Sequence, residues 1–272
     1  MQLVALTVVV GLVIGPWLGI VVDRLYSREA LVPTPRCQVC RGPVSGAPLV
    51  PVVSWFGRCS IDQSHRWWRY PVIDIGLAVT FGLLANYFGS SWQLVPFIVA
   101  FAVMVAVSVF DLETHLLPDA VTVPLFGAAA AAVLVLSTPN GHGDAIGPAF
   151  AGALFYGALL LLTHLVYPAG MGLGDVKLVP TLGLVLGWST TSIADALVLV
   201  FWAFLFGNLT GGLIGLVMRG AKVATAVPGG PDWFDDDELP DDEIDLFNKE
   251  VPFGPFLVIG ALLSLLLSNA IL

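Results

Sequence analysis

Gly170-Met171-Gly172-Leu173-Gly174-Asp175-Val176-Lys177-Leu178 lies between two strongly apolar segments, so an ionisable side chain stands at the mouth of a membrane helix. A carboxylate in that position is expensive, which makes Asp175 the first expectation for a functional residue. Gly170, Gly172 and Gly174 bring no side chains, leaving room for another backbone or an extended substrate strand to approach. One aspartate alone does little acid–base chemistry, so a partner is to be sought elsewhere in the chain.

The surroundings decide the fold class. The 272 residues are 57% hydrophobic and 11% charged, with a mean hydropathy of +0.89, whereas an ordinary soluble domain carries roughly 25% charged residues. Apolar runs of spanning length recur at about Leu3–Val22, Pro71–Phe88, Trp92–Phe110, Val121–Ser137, Ile146–Tyr167, Val176–Trp188, Ile193–Met218 and Phe253–Leu272. They predict an all-α polytopic membrane protein of about eight transmembrane helices. The expected divisions are a first helix at 1–23, an Arg/Cys-rich loop domain at 24–70, a six-helix catalytic core at 71–222, an acidic loop at 223–251 and a last helix at 252–272. The first run has no preceding Lys or Arg and no small-residue cleavage site after it, so it reads as a helix and not as a removable signal peptide. Its Gly11, Gly15 and Gly19 recur every four residues, the spacing of a close helix-packing face.

Charge sets the orientation. If the N-terminus is outside, all eleven Lys and Arg residues fall in or beside the inside loops, and the outside loops Gly89–Gln93, Thr138–Gly147 and Ser189–Ser192 hold none. That asymmetry is the positive-inside pattern, and it places Asp175 and the cysteine segment together on the cytoplasmic side. The net charge of −9 is local, because ten of the twenty acids lie between Asp232 and Glu250. Such a block is ordinarily a solvated segment. Attraction of a basic partner is the sharper reading, and nucleic-acid binding is not expected.

The partner acid is sought in Asp111-Leu112-Glu113-Thr114-His115-Leu116-Leu117-Pro118-Asp119, which opens at the same face as Asp175. Two carboxylates at one membrane edge can share a proton, one serving as base to a water and the other as acid to a carbonyl. Such chemistry needs no metal. Asp111, Glu113 and Asp119 are all candidates, although Asp119 after Pro118 is equally placed to cap the next helix. Lys177 either tunes the acids or extends to the cytoplasmic interface, the second being favoured.

Taken together, Gly170–Asp175 with Val176-Lys177-Leu178, the upstream Asp111 with Leu117-Pro118-Asp119, Arg69-Tyr70-Pro71-Val72-Ile73-Asp74 and the late Val251-Pro252-Phe253-Gly254-Pro255-Phe256 resemble the type IV prepilin peptidases, membrane aspartic proteases with a GxGD signature. The resemblance covers nearly the whole chain in motif order. It implies Asp111 and Asp175 as the catalytic pair, with Gly172, Gly174, Lys177 and Asp119 in support. It also implies a bacterial inner-membrane location, and prepilins or pseudopilins as substrates whose basic leader is cut at the cytoplasmic face. A GxGD protease acting on other membrane proteins and a proton- or cation-coupled transporter are the alternatives.

Cys37-Gln38-Val39-Cys40 has the spacing of a zinc half-site. Where the family supplies a second CxxC, this chain has Cys59-Ser60-Ile61-Asp62, so Cys37, Cys40, Cys59 and Asp62, or His65 in place of Asp62, form the expected zinc set. The loop domain also marks family members that N-methylate the new N-terminus with S-adenosylmethionine, the second activity expected here. Arg58, Arg66 and Arg69, interleaved with Trp67, Trp68 and Tyr70, read as a contact with the lipid bilayer surface.

Overall fold

A computed structural model describes residues 1–27, 44–45, 58–59, 69–114, 117, 119–166, 173–220 and 253–272. The predicted runs form eight long helices: α1 (Gln2–Ser27), α2 (Arg69–Phe88), α3 (Leu94–Thr114), α4 (Asp119–Ser137), α5 (Ile146–Val166), α6 (Leu173–Trp188), α7 (Ile193–Gly220) and α8 (Gly254–Leu266). The last run does not continue as one helix to the C-terminus. It breaks at Leu267 and resumes as a single turn, α9 (Ser268–Ile271). Among the described residues four helices are long and apolar enough to cross a membrane, and α3, α4 and α8 contribute shorter apolar stretches. In the loop between α1 and α2, a two-residue antiparallel ladder pairs β1 (Val44–Ser45) with β2 (Arg58–Cys59), with Val44 opposite Cys59.

Helix ends follow the chemistry of the breakers. Pro118 disfavours helix in the residue before it, and α4 starts at the residue after it. The turn from α2 into α3 uses Gly89 at a φ of 57°, open to glycine without a Cβ clash.

Neighbouring helices run antiparallel. Gly11 of α1 lies against Leu77 and Ala78 of α2, and Gly15 lies against Asp74, so two of the three glycines of the expected packing face meet another backbone. Helices α5 and α6 approach still more closely. A Cβ at Gly152 would run into the carbonyl of Gly183, and one at Gly187 would run into that of Pro148. In lipid, such small-residue faces provide the packing that apolar burial provides in water. Gly260 of α8 meets Ala203 and Gly207 of α7 in the same way.

Between these contacts lies a core of Phe97, Phe101, Met104, Tyr156, Leu160 and Leu178, all buried. Leu154, Leu162 and Leu165 on α5 and Leu209 and Leu213 on α7 are exposed, the apolar outer surface expected of a bundle solvated by lipid. The alternation brings the C-terminal ends of α1, α3, α5 and α7 together with the N-terminal ends of α2, α4, α6 and α8. At the opposite end, Trp188 stacks on Phe97 and donates a 2.8 Å hydrogen bond to Ser137 Oγ, while Tyr87 and Ser268 hydroxyls pair at 2.7 Å.

Candidate active site

Asp111 faces inward because it continues the buried stripe of α3. Phe97, Phe101, Met104, Ser108 and Asp111 follow at alternating steps of four and three, and all are buried. Asp175 does the same on α6, where Asp175, Leu178, Leu182 and Val185 form the inward row. The acids are 4% and 5% exposed. The apolar pattern that buries each helix therefore also draws one carboxylate from each into the bundle. Asp111 is not in the loop after the third span, since α3 runs on to Thr114. Asp175 stands in the first turn of α6, where the positive end of the helix dipole favours a negative group.

Two contacts knit this end together. A Cβ at Gly174 would lie 2.8 Å from the Cβ of Leu117, so Leu117 packs directly over the residue preceding Asp175. The second contact comes from α8, which packs against both α3 and α6. Its first residue, Gly254, donates its amide to Asp111 Oδ2 at 3.1 Å. Three segments distant in sequence thus converge on the same end of the bundle. Two buried carboxylates there can activate a water and protonate a carbonyl oxygen.

Of the other expected residues, Gly174 takes its place beside Leu117, and Lys177 is exposed two residues beyond Asp175. Asp119 is the first residue of α4, one place inside the N-cap position of its capping reading, and only its backbone is described. Glu113 lies in the last turn of α3 with only its backbone described, and Gly172, His115, Cys37, Cys40, Asp62, His65 and the acidic loop lie outside the described residues. Cys59 stands in β2, its side chain likewise outside them. Among the described residues no group of three or more His, Cys, Asp or Glu is placed to hold a metal.

Two features escaped the sequence reading. Asp74 is completely buried, with its carboxylate against Gly15 of α1. It was visible only as the acid ending Arg69–Asp74, and the four-residue glycine spacing of α1 was the sole hint of what would face it. The other is Gly254, quoted within Val251–Phe256 but given no task.

The chain has relatives among characterised families. The family model described as the type IV leader peptidase family matches residues 97–215, and that of the bacterial peptidase A24 N-terminal domain matches residues 9–88. A prepilin leader peptidase/N-methyltransferase of Burkholderia pseudomallei is 31% identical, over 96% of this chain and 84% of its own length. That of Aeromonas salmonicida is 30% identical over 77% and 70%, and that of Bacillus subtilis is 26% identical over 96% and 93%. No solved structure matches the chain. It is a polytopic membrane enzyme. More narrowly, the chain belongs to the type IV leader peptidase family.

Proposed function

We propose that this enzyme removes the basic leader from prepilins or pseudopilins at the cytoplasmic face of the bacterial inner membrane, with Asp111 and Asp175 as the catalytic pair. The observation that carries the reading is the convergence of both buried acids on one end of the bundle, and in the sequence every Lys and Arg falls in or beside the segments that connect the helices on that side. The topology follows from that charge bias, with residues 24–70 and 223–251 as the cytoplasmic segments. One acid takes a proton from the attacking water while the other gives its proton to the scissile carbonyl oxygen. The resulting gem-diol collapses with proton transfer to the leaving amine. Two carboxylates perform every step, and none needs a cofactor. Gly172 leaves space for the extended strand around the scissile bond, Gly174 lets Leu117 close over the start of α6, Asp119 lends its charge to the positive start of α4, and Lys177 reaches the interface.

A second activity, N-methylation of the new N-terminus, is supported by the names of the relatives. Its methyl donor is S-adenosylmethionine, for which no residue is assigned. The loop domain fits zinc by donor chemistry, with Cys37, Cys40, Cys59 and Asp62, or His65 in its stead, as ligands. Zinc there would clamp the loop and take no part in proteolysis.

The test uses the full chain in lipid nanodiscs with a prepilin from the same genome. Leader loss and N-terminal mass are followed with and without S-adenosylmethionine for the wild type and Asp175→Asn. Shortening by the wild type alone establishes the protease, and a further methyl-sized gain establishes the second activity. No shortening by either overturns the reading. Metal analysis of the wild type against Cys37→Ser tests the zinc set.

A further inference from the structure

The start of α8 is capped in an unusual way. Its N-cap residue, Phe253, has no side chain able to accept a hydrogen bond from the first turn. Pro255 brings no N–H at all. The amides of Phe256 and Leu257 both donate to the carbonyl of Phe253. Of the first-turn donors, this leaves the Gly254 amide as the one directed away from the helix, and it goes to Asp111 Oδ2 at 3.1 Å across 143 residues of sequence. The position also requires glycine for lack of space. A Cβ there would stand 2.9 Å from Asp111 Oδ2 and 3.4 Å from its Cγ.

We propose that Gly254 is a positioning residue for Asp111, its amide and the helix start behind it fixing one carboxylate oxygen as an acceptor and so making Asp111 the base of the pair. The inference rests on the peptidase reading above. An N–H bond to a carboxylate favours the charged form; the helix-start dipole acts on both acids, through α8 on Asp111 and through α6 on Asp175, and does not choose between them. The other oxygen of Asp111 takes the proton from water as the water oxygen attacks the carbonyl carbon. Asp175 delivers its proton to the carbonyl oxygen, giving the gem-diol. On collapse, Asp111 passes its proton to the departing nitrogen as the C–N bond breaks, and Asp175 recovers one from the diol. The pair ends with the one proton it began with.

The test measures leader cleavage by the full chain in nanodiscs for the wild type, Gly254→Pro, Gly254→Ala and, as a neighbouring control, Pro255→Ala. Losing one oriented donor at a catalytic group is expected to lower kcat by about 10-fold to 100-fold. Gly254→Pro should show this by losing the N–H, and Gly254→Ala by displacing the carboxylate with its Cβ, both with KM within about twofold, while Pro255→Ala stays within about threefold of the wild-type kcat. A wild-type kcat in Gly254→Pro overturns the proposal. So does an equal loss in Pro255→Ala, or a change confined to KM. Because a Gly254 variant can fail to fold, hydrogen exchange gives an independent arm. The amide of Gly254 should exchange faster in Asp111→Ala than in Asp175→Ala, and equal rates overturn the assignment. Failure of the wild type to cut any prepilin refutes the peptidase reading instead, and leaves the exchange result standing on its own.

Discussion

The two ends of the bundle are made from the same helices, yet they solve different problems. At the far end, Trp92, Trp188, Phe97 and His142 lie ring to ring, and the polar atoms of Trp188, Ser137, Tyr87 and Ser268 are matched in neutral hydrogen bonds. Such aromatic groups suit a membrane–water boundary and fix the helices against one another. At the near end, Asp74, Asp111 and Asp175 are buried, and the close approaches are made by glycine backbones at Gly15, Gly174 and Gly254. Neutral partners hold the far end shut, while the near end keeps carboxylates inside apolar helices at a standing electrostatic cost. The difference separates what stabilises the bundle from what it is stabilised for.

Substitutions can sharpen that contrast or break it. The largest effect is expected at the near end, where Asp111→Asn and Asp175→Asn should each lower leader cleavage by about 10³-fold while leaving the thermal unfolding midpoint close to that of the wild type. Retained cleavage in either would remove that residue from the catalytic pair. Between the ends, Gly183→Val drives a side chain into the carbonyl of Gly152. It is expected to destabilise the protein by roughly 1–3 kcal/mol, measured by chemical denaturation in detergent. At the far end, Trp188→Phe removes the donor to Ser137 and should cost about 1–2 kcal/mol of stability, with cleavage at permissive temperature within twofold of the wild type. A loss of cleavage in folded Trp188→Phe would show that the ends are not separable. The smallest effect is expected for Lys177→Met, exposed beside the acids, which should change cleavage by no more than about twofold.

Much of this division could be read from the sequence, because its determinants are local. Eight apolar runs announce eight helices. The stripe through Phe97, Phe101 and Met104 carries on to Asp111 without knowledge of any neighbour. The positive-inside bias gathers the charges at one end. What the sequence could not show is contact between distant segments. A backbone amide carries no residue-type signature, so the pairing of Gly254 with Asp111 appears only when α8 is laid against α3. The complete burial of Asp74 likewise depends on which face of α1 meets α2. The break at Leu267 is hidden for a different reason, since Leu263 to Leu267 is uniformly apolar apart from Ser264 and contains no Gly or Pro to mark the change.

The length of α6 has a consequence for the depth of Asp175 in the membrane. Its 16 residues extend about 24 Å at 1.5 Å per residue, against a hydrocarbon thickness of about 30 Å. One end of α6 is held by Trp188 at the aromatic boundary, so the other stops short of the opposite surface. Leu178, Leu182, Leu184 and Leu186 are fully buried among the other helices, so protein and not lipid surrounds this short helix. Its shortness would leave Asp175 at the foot of a recess below the membrane surface, and a peptide bond at the head of a membrane-inserted substrate helix would find water waiting there.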